Sequence, residues 1–161
     1  MGRIIPDSEI KRVLVRVVDK FLIPKFRELG MNASGNWLRS VDVWVRDGLG
    51  IIEGPDYTEY LVRGRGPNYN QHPEAIMAWA VGYGLNVIKK WADDKGIMVN
   101  PIGVAYNIAT EGTSWYKQGG TDLVEVLQSD EVLDFINKEI GDFVVGQITL
   151  ELQRDISKLF K

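Results

Sequence analysis

Apolar residues near the start of the chain recur at helical spacing. Ile10, Val13, Leu14, Val17, Val18 and Phe21 lie three or four positions apart within Asp7 to Leu29, which gathers them on one face of an amphipathic helix. Asp7 or Ser8 is available as its N-cap, and Gly30 closes the segment. Pro24 is expected to end or kink the helix, because proline lacks a backbone donor and crowds the turn before it. The period then changes to two. Val41, Val43 and Val45 alternate with Asp42, Trp44 and Arg46, Asp47-Gly48 is a tight-turn signal, and Leu49 to Glu53 returns as a partner strand. A two-stranded hairpin is marginal in water by itself. It must lie against the first helix, or extend its sheet through Tyr60 to Val62 or through a neighbouring subunit.

Gly64 to Asn70 reads as a turn, after which Pro73 suits a first helical position, with Glu74 in the favourable first turn. Ile76, Met77, Ala80, Gly84, Val87, Ile88 and Trp91 then form a stripe whose middle is weakened at Gly82 and Gly84. Gly96 ends that segment, and Asn100-Pro101 supplies cap and first position for a helix closing at Gly112. Ser114 to Gly120 has the composition of a mobile loop. From about Asp130 onward Leu133, Ile136, Ile140, Val144, Ile148, Leu152, Ile156 and Leu159 continue at helical spacing, much longer than the average of about 11 to 12 residues. Such a helix either bends at Gly141 or Gly146, or projects to pack on the first helix or on another subunit. The pattern predicts one α+β domain over residues 1–161: a long N-terminal helix packed on a small antiparallel sheet, further helices in the middle, and a long C-terminal helix.

The balance of 45% apolar and 25% charged residues is that of an ordinary globular protein. With no cysteine there is neither a disulfide framework nor a thiolate nucleophile. The opening Met-Gly-Arg-Ile-Ile-Pro lacks the apolar core of a signal peptide, and no apolar run approaches the roughly 20 residues of a membrane helix, so no membrane partner is expected. A net charge of -3 gives no global attraction to phosphate backbones. The compact basic cluster is Arg63 and Arg65 beside Gly64 and Gly66; two arginines in a turn are more often solvated or paired with a neighbouring carboxylate than bound to phosphate.

Candidate chemistry is sparse. The single histidine, His72, cannot supply a multi-histidine metal site, and reads as a structural loop residue. Gly64-Arg-Gly-Pro and Gly82-Tyr-Gly lack the lysine that a phosphate cradle needs. Pro55-Asp56 followed by Asp93-Asp94-Lys95 loosely matches metal-dependent nucleases, in which two carboxylates hold a hard cation and a lysine sits near the attacking water. Those elements belong on adjacent strands, whereas Asp93 to Lys95 fall at a predicted helix end. Five tryptophans are many for this length. Trp79 and Trp91 read as core; Trp44 lies out of phase with the valine face, and Trp115-Tyr116 sits in a glycine-bounded loop. Together with Trp37, Tyr60, Arg63 and Arg65 these are the candidates for an oligomer or partner surface.

Four strings follow one another in fixed order: Gly35-Asn-Trp-Leu-Arg-Ser40; Tyr57-Thr-Glu-Tyr-Leu-Val-Arg-Gly-Arg-Gly-Pro67; Val87-Ile-Lys-Lys-Trp-Ala-Asp-Asp-Lys-Gly-Ile97; and Val104-Ala-Tyr-Asn-Ile-Ala-Thr-Glu-Gly-Thr113. In this order the chain resembles the neck and tail-completion (head-tail joining, minor tail component) proteins of tailed bacteriophages, over roughly Asp7 to Leu127. The helical segment Glu74 to Gly84 and the length of the C-terminal helix depart from the common pattern. The resemblance implies a structural virion protein at the neck or tail top, assembled in the host cytoplasm. It implies a homo-oligomeric ring that joins portal or connector to tail proteins while DNA passes through the lumen without sequence-specific binding. It implies no cofactor, no metal and no catalysis. The alternatives are a phage-encoded metal-dependent nuclease and an oligomeric adaptor unrelated to phage.

Overall fold

A computed structural model describes residues 5–31, 35–67 and 85–159, save the side chains of 156, 157 and 159. The helix expected over residues 74–84, with His72 and Trp79, lies outside them. The described elements are α1 (Asp7–Val17), a π-helical turn (Val18–Leu22), α2 (Ile23–Glu28), α3 (Asn36–Ser40), β1 (Asp42–Arg46), β2 (Leu49–Glu53), α4 (Thr58–Arg63), α5 (Leu85–Asp94), α6 (Pro101–Glu111), α7 (Ser114–Lys117), a 3-10 turn (Glu125–Gln128) and α8 (Asp130–Leu159). The class is α+β, and it forms two compact units, one of residues 1–24, 42–53 and 125–161, the other of 25–41 and 54–124.

The first unit is built around α1. Val13 and Val17 are almost wholly buried, and α1 packs against both strands of the hairpin and against α8. The strands pair antiparallel, with Val43 opposite Ile52 and Arg46 opposite Leu49. The loop is Asp47-Gly48, both residues at positive φ (56° and 79°), the two-residue geometry whose twist suits paired strands. Gly48 donates its N–H to Asp7 Oδ1 at 3.1 Å, tying the hairpin tip to the start of α1. Asp7 is therefore occupied elsewhere and does not cap the helix; the N-cap is Pro6, with no side-chain cap bond. A Cβ at Gly50 would overlap the end of Leu14 and lie 3.1 Å from Ile10 Cγ2, so the glycine sets how closely helix and hairpin approach.

Pro24 does not end the helix. The wider π turn at Val18–Leu22 precedes it, with Ile23 donating to the Val18 carbonyl, and widening the turn relieves the clash between a proline ring and the carbonyl four residues back. Val17, Phe21 and Val132 form a cluster covered by Ile52, Val126, Leu127, Phe135 and Ile136. Phe21 and Phe135 meet edge to face at 5.5 Å. At the margin Arg12 and Arg16 both pair with Glu139. α8 runs unbroken through Gly141 and Gly146 for 30 residues, about 45 Å at the usual rise.

In the second unit, α5 packs on α6 around Ile88 and Ala105. Asn100 Oδ1 accepts from the N–H groups of Ile102 and Gly103 at 3.1 and 3.4 Å, with Pro101 at the first helical position, as the sequence predicts. Gly30 and Gly96 each end a helix at positive φ, with the following N–H donating to the carbonyl five residues back, from Met31 to Phe26 and from Ile97 to Ala92. Tyr60 to Val62 lie within α4 rather than in a third strand: among the described residues the sheet has two strands.

Truncating Phe21 to alanine removes the aromatic ring by which the π-helical turn packs on α8, and should cost about 3 to 5 kcal/mol of stability. Urea denaturation followed by circular dichroism measures this.

Candidate partner interface

The seven interface candidates divide between the two units. Trp44 is in the first unit, on the hairpin face turned away from Val43. It is 37% exposed, and its indole N–H donates to Glu53 Oε2 at 2.9 Å. The other six lie in the second unit. Trp37 is not a surface residue: it is 4% exposed, stacks on Phe26 at 4.4 Å, and donates its indole N–H to Thr58 Oγ1 at 2.9 Å. Its helix α3 is a single short turn, and the ring serves as core where the sequence suggested a docking aromatic.

Tyr60, Arg63 and Arg65 lie in the second of the strings noted above and Trp115 and Tyr116 just beyond the end of the fourth, and the fold brings these two segments together. Arg65 donates its N–H to Thr113 Oγ1 at 3.0 Å and accepts the Thr113 N–H at 2.9 Å. Gly64 has φ 73° and ψ 167°, a region essentially reserved for glycine. A Cβ there would overlap the backbone nitrogen of Tyr116 and lie 2.5 Å from its Cα, and one at Gly66 would lie 3.0 Å from the Tyr116 ring. Gly64 thus lets one backbone lie on another, and Gly66 makes room for the Tyr116 ring. Arg63 pairs with Glu59 at 3.1 Å, and the Arg65 guanidinium sits 5.4 Å above the Tyr60 ring, which is 51% exposed.

Residues 114–120 are not the free loop their composition suggests. Thr113 caps α7 by accepting the Tyr116 N–H. Gly120 donates to the Trp115 carbonyl at 2.8 Å, Thr121 N–H to the Val62 carbonyl at 2.7 Å, and Thr121 Oγ1 to the Leu61 carbonyl at 2.8 Å. The segment is thus tied to the last carbonyls of α4, leaving Trp115 half-buried and Tyr116 exposed.

A cavity of about 530 Å³ opens in this unit, lined by Met31, Leu61, Ile88, Trp91, Ile108 and Trp115 among others. Of its charged lining residues Glu111 is paired with Lys117 at 2.6 Å, and Lys95 extends over the Trp91 ring at 5.5 Å. The apolar walls suit an aliphatic or aromatic group rather than a reacting polar one. Asp94 is the last residue of α5 and Asp56 lies in the turn before α4, so neither is on a strand. Among the described residues no three His, Asp or Glu side chains converge as metal ligands, and no helix is long and apolar enough to cross a membrane.

One surface has no counterpart among the sequence candidates. Val145, Ile148 and Leu152 of α8 are 65, 52 and 57% exposed. The sequence places Ile148 and Leu152 in a helical stripe with Val144 rather than Val145, and says nothing of their exposure. A clue existed: steps of four, from Ile136 through Leu152, turn about 40° further around a helix each time, so the stripe cannot stay against a single neighbour.

Comparison with protein-family models, curated proteins and solved structures returns no match for this chain.

Two expectations follow. Gly64→Ala combines a glycine-only backbone with a backbone overlap at Tyr116, and should destabilise the protein by about 2 to 6 kcal/mol in urea denaturation. The second concerns acid. A hydrogen bond from Lys25 at 2.7 Å holds the Asp122 carboxyl below its ordinary value of 3.8, and one from Lys117 holds Glu111 below 4.5. Depressed folded-state values mean that this stabilisation is complete above the ordinary values and lost as pH falls through the lowered ones. An Asp122→Asn, Glu111→Gln variant should therefore show a shallower fall of the urea midpoint on acidification below about pH 5 than the parent.

Proposed function

We propose that this chain is a structural virion protein of the phage neck or tail top. Copies form a ring that joins the portal or connector to the tail, and DNA passes through its lumen. The observation that carries the reading is the ordered set of four strings from Gly35 to Thr113, which resembles the neck and tail-completion proteins. The observed scaffold, a long N-terminal helix on a small antiparallel sheet, is the arrangement that the resemblance implies.

Three physical features support it. A two-stranded sheet leaves one edge of each strand unpaired among the described residues, and such edges can be completed by a neighbour's strand in a repeated head-to-tail contact. Trp44, Tyr60 and Tyr116 place aromatic surface in the open, the residue types enriched where proteins meet. The net charge of -3 suits a conduit, since a lumen that bound phosphate tightly would retard DNA.

Mass spectrometry of purified virions, combined with chemical crosslinking, tests the proposal. The chain should be present in several copies and crosslinked to portal or tail proteins. Its absence from intact particles would overturn the structural role and direct attention to nuclease assays of Asp56→Ala and Asp94→Ala variants.

A further inference from the structure

The two sides of α8 have different surroundings. Val132, Phe135 and Ile136 pack into the core shared with α1, and Glu139 pairs with Arg12 and Arg16. At about 100° per residue, Gly141, Val145, Ile148 and Leu152 fall on the opposite side. From Val145 to Asp155 every side chain is exposed. The spacing 141, 145, 148, 152 alternates four and three, the heptad seam of a gently supercoiled helix pair. Nothing lies within 4 Å of a Cβ built at Gly141, although glycine inside a helix costs about 1 kcal/mol relative to alanine.

We propose that this stripe is the seam of an antiparallel helix pair formed with a second copy of the chain. In the register that centres the stripe, Val145 of one copy faces Ile148 of the second, Gly141 faces Leu152, and Lys138 faces Asp155, each contact occurring twice about a two-fold axis. Size and charge select this pairing. Leu152 fills the space left open over Gly141, and opposite charges close both ends. A parallel pair would instead set Lys138 against Lys138, Asp155 against Asp155, and glycine against glycine. The ion pair that Asp155 already makes with Lys158 at 2.8 Å is exposed, and exposed pairs of this kind hold weakly, so Asp155 can turn toward Lys138. Gly146 lies off the seam and is not explained by it.

The seam uses none of the hairpin edges, so it is compatible with ring contacts made there and stands whether or not the chain belongs to a virion. It is short, so isolated copies associate weakly; linked through a larger assembly they gain from a high effective concentration.

The chain has no cysteine, which allows a direct test with full-length Gly141→Cys and Leu152→Cys variants under mild oxidation. A mixture of the two should form a disulfide-linked pair. Leu152→Cys alone should not, because its two copies would stand about 16 Å apart across the axis, too far for a disulfide. Ile148→Glu, at an exposed position, should keep the parent's circular dichroism while abolishing the linkage in the mixed variants. Lys138→Asp should reduce linkage at least tenfold and Lys138→Asp with Asp155→Lys should restore it. Self-linkage of Leu152→Cys, no linkage in the mixture, or linkage that survives Ile148→Glu would each overturn the proposal.

Discussion

Burial of one face of the N-terminal helix is the constraint on which the first unit depends. Val13 and Val17 are almost completely removed from water, and Phe21 nearly so. Two partners cover that face: a hairpin too small to stand in water by itself, and the beginning of a helix that comes from the far end of the chain. Each offers an apolar surface without a core of its own, so α1 is their common wall. The ionic contacts around it follow from that packing. Arg12 and Arg16 reach Glu139 because α1 and α8 already lie side by side, and such partly exposed pairs add little beyond setting alignment.

The second unit solves a different problem, which is to hold together the several short elements of its described residues. It does so by backbone approach. Gly64 lets one segment lie against another at Tyr116, Arg65 and Thr113 exchange hydrogen bonds, and Thr121 takes up the carbonyls of Leu61 and Val62 at the end of α4. The glycines beside Arg63 and Arg65, which the sequence offered as a phosphate-cradle string, have architectural work here.

Where local chemistry alone decides conformation, the sequence was readable. Asp47-Gly48 between alternating valines fixes a hairpin, and Asn100-Pro101 fixes a helix start, because each acts through atoms within a few residues. The long C-terminal helix was legible for the same reason. Of the two outcomes expected at Pro24, an end does not occur, because the local penalty is met by widening the preceding turn, in which Phe21 and Leu22 are buried. Tyr60 to Val62 suit a strand by composition and form a helix because α4 is fastened at its end by residues about sixty positions away. Trp37 shows the limit for sites: a tryptophan near polar residues looks the same in sequence whether it awaits a partner or stacks on Phe26. For Ile148 and Leu152 the spacing was visible, with Val144 in the place that Val145 takes on the exposed side, but nothing in a linear pattern says which face has already been covered.

The pairing of α1 with α8 also sets a timetable. Phe21 and Val132 belong to the same cluster, so at a synthesis rate of about 10 residues per second the apolar face of α1 waits on the order of ten seconds for its cover. Residues 54–124 of the second unit are made within that interval and can begin to fold first. For that period the nascent first unit is a bare amphipathic helix with a hairpin resting on it, and this is when a chaperone, or a neighbouring nascent chain, has its best opportunity to bind.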